Sequence, residues 1–385
     1  MDERELGLET RAIHAGRLDP RIEGAAVTPI FQCSVYEHTT EGADYHDVRY
    51  PRLSNLPNHA VLARRLAALE GAEDALVTAS GMAAISTTLL QVLLKGGHLL
   101  IQDQLYGGTH AFVTHDFHGL GLSYDFIPPD DPDSWKAKLR SNTRAVYVEA
   151  MTNPLLQVAD HRAVVDFARE HGLVSIIDNT FATPVNFLPI AVGFDLSLHS
   201  CTKYLNGHTD LVAGAVIGST ELVRSIRHRL GHLGGCLDPH ACFLLDRGMK
   251  TLVLRVRQQN ANAQALAGCL AQHPAVERVN YPGLPQHPDH TRARELFSGF
   301  GGMLSFEPRH GLEAARRFLD RVEIPINGPS LGGVETLVTR PVTTSHANLT
   351  EDELRRLGIS AALIRVSVGI ESVNDLIPDF EAALA

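Results

Sequence analysis

No stretch of this 385-residue chain is apolar enough for long enough to cross a bilayer; the longest run, STTLLQVLL (86–94), is short and interrupted by polar residues. Cysteine is sparse. Cys33, Cys201, Cys236, Cys242 and Cys269 are odd in number and scattered, with no C-x-x-C pair. They read as reduced thiols rather than a disulfide framework. A basic block is missing too: 34 Lys and Arg stand against 44 Asp and Glu, a net charge of −10. That balance argues against a nucleic-acid partner. The N-terminus MDERELGLET has no apolar core of a secretory signal, so the expected location is the cytoplasm, away from any membrane. Repeats and low-complexity segments are likewise absent.

With 44% hydrophobic and 20% charged residues, the composition is that of a globular protein, and the length exceeds what one core usually serves. Residues 1–58 lack sustained periodicity and carry Pro20, Pro29, Pro51 and Pro57, which reads as an extended arm. Helical spacing begins in HAVLARRLAALEG (59–71), where Gly71 closes the helix. Short β-rich runs then alternate with helices: DALVTAS, HLLIQ, RAVYVEA, LVSIID, FDLSLHS and LVAGAVIGS. The alternation predicts an α/β domain over 59–245 with a mostly parallel sheet and flanking helices. A long helix over 246–274 leads into a smaller α+β domain, 246–385, with strands at AVERVNYP, GGMLSFEP and LIRVSVGIE.

The segment HSCTKYLNGHTD (199–210) carries two readings. His199, Cys201, His208 and Asp210 are zinc-ligand types, which would suit a zinc hydrolase. Alternatively Lys203, just past a strand, lies where open α/β sheets bind ligands and can form a Schiff base with an aldehyde cofactor. No second ligand cluster supports the metal, so none is expected. Asp178 ends the apolar run LVSIID, where an isolated carboxylate needs a partner; a protonated ring nitrogen of pyridoxal 5′-phosphate (PLP) would supply one. In TASGMAAISTT, a helix N-terminus at Ser80-Gly81-Met82 can bind phosphate. Tyr106 in LYGGTH can stack on a planar ring or simply sit in a turn. Arg365, on the polar side of LIRVSVGIE, suits a carboxylate but would equally suit an edge strand facing solvent.

Taken in order, ALEGAEDALVTASGMAAI, LYGGTH, TNPLL, DNTFATP, HSCTKYLNGHTDLVAG, SLGGVETL and LIRVSVGIE resemble the PLP enzymes of cysteine and methionine trans-sulfuration. That group comprises cystathionine γ-synthase, cystathionine β- and γ-lyases, methionine γ-lyase and O-acylhomoserine sulfhydrylases. The resemblance runs from TRAIHAG to the C-terminus and implies PLP-dependent transferase fold type I. It implies that Lys203 carries PLP and shuttles protons, that Asp178 pairs with the pyridinium, and that Tyr106 stacks on the ring and assists proton transfer. Ser80, Gly81, Met82, Ser200 and Thr202 would hold the phosphate, and Asn153 the phenolic oxygen. Arg365 and Ser330 would hold the α-carboxylate of an amino-acid substrate. Tyr50 and Arg52 would reach the phosphate of a neighbouring subunit, implying a dimer-built active site within a homotetramer.

Three departures bear on the substrate. Ala111 stands where cystathionine enzymes commonly have arginine, and Pro329 where many have glutamate; Gly108 stands where methionine γ-lyases often have cysteine. The expectation is a carbon–sulfur lyase acting on cystathionine, homocysteine or methionine, with a γ-replacement enzyme as the alternative.

Overall fold

The computed structural model describes residues 6–37, 48–94, 96–129, 131–347 and 349–385. Seven strands form the larger sheet: β1 (Asp74–Thr78), β2 (His98–Gln102), β3 (Ser123–Ile127), β4 (Thr143–Glu149), β5 (Val174–Asp178), β6 (Leu196–Ser200) and β7 (Gly214–Gly218), in the order β1-β7-β6-β5-β4-β2-β3. β2 to β6 form parallel pairs, whereas β7 runs against both β1 and β6. The mostly parallel expectation holds, with one reversed strand.

Strand residues alternate between two cores, as the pleat requires. Val146, Val148 and Ile177 face a core shared with the helices Pro57–Glu70 and His161–His171. Ala145, Tyr147 and Ile176 face a second core with the helices Gly81–Val92 and Thr220–Leu233. Both faces are covered, so these strands read as largely apolar runs, Ser175 aside, with polar residues at their ends. The ends are where the chemistry lies.

Five strands form the smaller sheet: β8 (Val276–Asn280), β9 (Met303–Pro308), β10 (Ile326–Asn327), β11 (Leu337–Thr339) and β12 (Ile364–Ser367), ordered β10-β11-β12-β9-β8. β12 is therefore interior and buried along its length. Arg365 does not sit on a solvent-facing edge.

Two expectations are corrected. The helix read over 246–274 is two helices, Pro239–Met249 and Leu252–Gln272, with the break at Lys250-Thr251. The arm is not wholly extended: Leu8–His14 is helical and buries Ala12. It packs there because Arg11 and Arg65 bridge to carbonyls across the contact, Arg11 to Ala68 and Arg65 to Ala15.

Candidate active site

A cleft of 680 Å³ opens at the carboxyl ends of β4, β5 and β6, with the smaller sheet supplying its other wall. Open α/β sheets bind ligands at this edge because strand ends and helix N-termini converge there. Ser80, Gly81, Met82, Tyr106, Asn153, Asp178, Ser200, Thr202, Lys203, Ser330 and Arg365 all line it. Tyr50 and Arg52 do not. In this chain Arg52 donates to Gly231 O at 2.7 Å and stacks on Tyr50 with 5.5 Å to the ring centroid.

Lys203 Nζ donates to Ser330 Oγ at 2.6 Å. Its amine is pulled from 10.5 down to about 8, first by burial and then by the charge of Arg365. Ser330 has a positive φ of 86°, which an L-residue adopts only when its surroundings hold it. Those surroundings are visible: its carbonyl accepts from Arg365 Nη2 at 2.9 Å, while its hydroxyl takes the lysine. Arg365 also reaches Asn153 Oδ1 at 3.2 Å, and burial lowers its guanidinium to about 10.

Asp178 is 9% exposed and accepts both the N–H and the hydroxyl of Thr180, each on Oδ1. Burial raises its carboxyl above the ordinary carboxylate range, against the pull of those hydrogen bonds. An ionised carboxylate there costs several kcal/mol unless a cation meets it. Thr180 Oγ1 also accepts the Ser200 N–H at 2.8 Å, fastening the end of β5 to that of β6.

At the other end of the cleft the helix Gly81–Val92 begins. Ser80 caps it, taking the Ala83 N–H at 3.0 Å. A Cβ on Gly81 would fall 2.9 Å from Ser200 Cβ, so only glycine lets the helix start so close to the β6 end. Backbone donors and the hydroxyls of Ser80, Ser200 and Thr202 thus face one space suited to a phosphate dianion.

The four metal-ligand types of 199–210 do not converge. His199 Nε2 meets Glu70 Oε1 at 2.6 Å, His208 Nδ1 meets Asn206 O at 2.7 Å, and Asp210 accepts from Asn206 at 2.8 Å. Cys201 is buried, which pushes its thiol well up. Among the described residues no group of three or more His, Cys, Asp or Glu side chains is disposed to hold a metal ion.

Residues not anticipated also line the cleft: Glu149, Thr180, and Thr343, Thr344 and Ser345 from the loop before residue 350. Glu149 had a legible signal, since it closes β4, one residue before the end of RAVYVEA, as Asp178 closes β5. The 343–345 loop had none.

PLP asks for an anion cradle, a carboxylate for its ring nitrogen and an amine for its aldehyde, and the cleft offers all three. Fold and cleft together place the chain in the class of fold-type-I PLP enzymes. The family model for Cys/Met metabolism PLP-dependent enzymes matches residues 9–385. L-Methionine gamma-lyase of Pseudomonas putida is 40% identical over 391 aligned positions, covering 98% of this chain and 97% of that protein. Cystathionine gamma-synthase 1, chloroplastic, of Arabidopsis thaliana is 39% identical, covering 97% of this chain and 68% of that protein. A Campylobacter jejuni subsp. jejuni protein whose structure holds N′-pyridoxyl-lysine-5′-monophosphate superposes with a TM-score of 0.93. It is 31% identical and covers 98% of this chain and 100% of that one. The chain belongs to the Cys/Met metabolism family of PLP-dependent enzymes.

The lowered amine gives a first prediction. Apoprotein is expected to capture PLP at a rate that climbs with pH and levels off above about 8, because the neutral amine attacks the aldehyde. A rate still climbing toward the ordinary lysine value of 10.5 would contradict the burial argument.

Proposed function

We propose that the chain is a carbon–sulfur lyase of trans-sulfuration, releasing the γ (or β) substituent of a sulfur amino acid. The observation that carries this reading is the single carboxylate anchor beside the lysine. Lys203 and Arg365 are the only cations lining the cleft among the described residues, and Glu149 and Asp178 its only acids. One α-amino acid can be held by its carboxylate on Arg365 and Ser330. A second one, whether the far half of cystathionine or an incoming cysteine, meets Tyr106, Val212, Pro329, Leu331, Thr343 and Ser345, which are uncharged. That wall suits methionine or homocysteine, and it favours elimination over replacement.

PLP, when bound, supplies an electron sink for the charge left at Cα. Lys203 would take the Cα proton and, as an amine near neutrality, pass it on; for a γ substituent to leave, a second proton comes off Cβ and that electron pair becomes the Cβ=Cγ bond. Asp178 would keep the ring nitrogen protonated, and Asn153 would meet the phenolic oxygen. Ser80, Gly81, Met82, Ser200 and Thr202 would bind the phosphate. Tyr106 would stack on the ring, and its hydroxyl would move a proton to the departing substituent. Arg365 and Ser330 orient the carboxylate so that the Cα proton points at Lys203.

The chain is read as an arm (1–58), a cofactor-binding domain (59–245) and a C-terminal domain (246–385), with the arm's Tyr50 and Arg52 completing the phosphate site of a second copy in a homotetramer. Five unpaired cysteines support a reducing compartment, the cytoplasm. Arg52→Ala is expected to raise the PLP dissociation constant about 10- to 100-fold, the loss of one charge-assisted phosphate contact. Wild-type affinity in that variant would remove the cross-subunit contact from the account.

Incubating purified enzyme with L-methionine, L-homocysteine, L-cystathionine, and O-acylhomoserine with and without cysteine tests the activity. α-Keto acid release without a thiol is expected, highest with the first two. Product formed only when cysteine is added would make the chain a γ-replacement enzyme.

A further inference from the structure

Glu149 has no part in the chemistry above, yet it is 5% exposed and forms part of the cleft wall beside Asp178. β4 and β5 pair in register there, Glu149 opposite Asp178. Neighbouring strands lie about 4.8 Å apart, so two carboxyl groups emerge side by side from adjacent strand ends. Buried like charges at that spacing do not both ionise. Asp178 is the member with the two Thr180 donors, and it is the one placed for the ring's cation.

We propose that Glu149 is a neutral carboxylic acid that positions Tyr106 over the cofactor ring. Its Oε1 accepts the Tyr106 N–H at 2.6 Å, and its own N–H is fixed by Gln102 Oε1 at 3.0 Å. Tyr106 precedes a short helix, Gly107–Ala111, and its side chain is 43% exposed. The Glu149 contact is therefore what ties the tyrosine backbone to the sheet. Little slack exists on the other side: a Cβ on Gly108 would come within 2.5 Å of the Tyr106 ring and 3.0 Å of Met82 Sδ.

The surroundings favour the protonated form. The Nε2 of Gln102 is buried without a hydrogen-bond partner, so it does not donate to Glu149, and the Tyr147 phenol engages Asp178 and Thr109 instead. Tyr147 lies close enough to both carboxyls for their charge to raise its phenol, after burial. Burial, then the charge of Asp178, push the Glu149 carboxyl well above the usual range, while the Tyr106 N–H pulls the other way.

This inference rests on the proposed cofactor site, with PLP on Lys203 between Asp178 and Tyr106; borohydride trapping checks the attachment to Lys203 separately. Infrared spectra of the holoenzyme at neutral pH are expected to show a protonated-carboxyl band that is missing from Glu149→Gln. That variant keeps the acceptor oxygen and no charge, so its PLP affinity and kcat are expected within about threefold of wild type. Glu149→Ala, which loses the contact to Tyr106, is expected to lose about tenfold in kcat with little change in KM. Absence of the band overturns the proposal. So does a Gln variant as impaired as the Ala variant, which would mean that charge is used. An Ala variant with wild-type kcat would remove the positioning role.

Discussion

Lys203→Ala is expected to turn over no measurable substrate, a loss of at least about 10⁴-fold, while keeping its fold. The size follows from two duties that the proposed function assigns to one atom: Nζ would both engage the cofactor's aldehyde and move the Cα proton, and proton transfer alone is worth about 10²–10⁴-fold. The geometry leaves no substitute. Among residues lining the cleft the other cation is Arg365, whose guanidinium stays charged at about 10 and is tied to Ser330 and Asn153. Stability should change little, because the lysine's described contact is one hydrogen bond to a hydroxyl. Steady-state α-keto acid release together with thermal melting separates loss of chemistry from loss of fold. Residual turnover of even a few per cent would mean that another group moves the proton.

Asp178→Asn has the second largest expected effect, a fall in kcat of about 10²–10³-fold, comparable to removing one preorganised electrostatic contact from a buried site. Asparagine matches the size of aspartate and still accepts the Thr180 N–H and hydroxyl through its carbonyl oxygen, so the turn 178–180 keeps its bonds. What disappears is the negative charge. Without it the ring nitrogen of bound PLP would lose its proton and the sink its strength. Thr180→Val is the control: it removes one donor to Asp178 and the acceptor for the Ser200 N–H but leaves the charge, so its effect should be far smaller. A kcat for the Asn variant within threefold of wild type would place the pyridinium partner elsewhere.

The parts of the fold that were legible in the sequence share a physical cause. β4 and β5 are covered on both faces, so they appear as apolar runs ending in one polar residue, and that residue sits at the ligand-binding edge. Asp178 was singled out that way, and Lys203 because it follows the strand that became β6. β3 was not anticipated, because SYDFI is an edge strand whose residues are mostly half-buried and whose pattern is diluted by Ser123 and Asp125. β10 and β11, of two and three residues, are too short for any period to show. The helix break at Lys250-Thr251 is announced only by Gly248 two residues earlier, a lone glycine that a continuous helix also tolerates. Glu149 obeyed the rule that found Asp178 and was passed over because no cofactor atom asked for it. Thr343, Thr344 and Ser345 reach the cleft only because the smaller sheet folds across the larger one, a contact of high sequence separation that no local pattern encodes.

On the proposed function, the amine of Lys203 rather than a metal cluster makes HSCTKYLNGHTD the working segment. Borohydride reduction of the purified holoenzyme followed by peptide mapping tests it most directly. A yellow protein that yields one pyridoxyl-labelled peptide, modified at Lys203, is expected. A colourless protein carrying stoichiometric zinc, or a label on any other lysine, would contradict it.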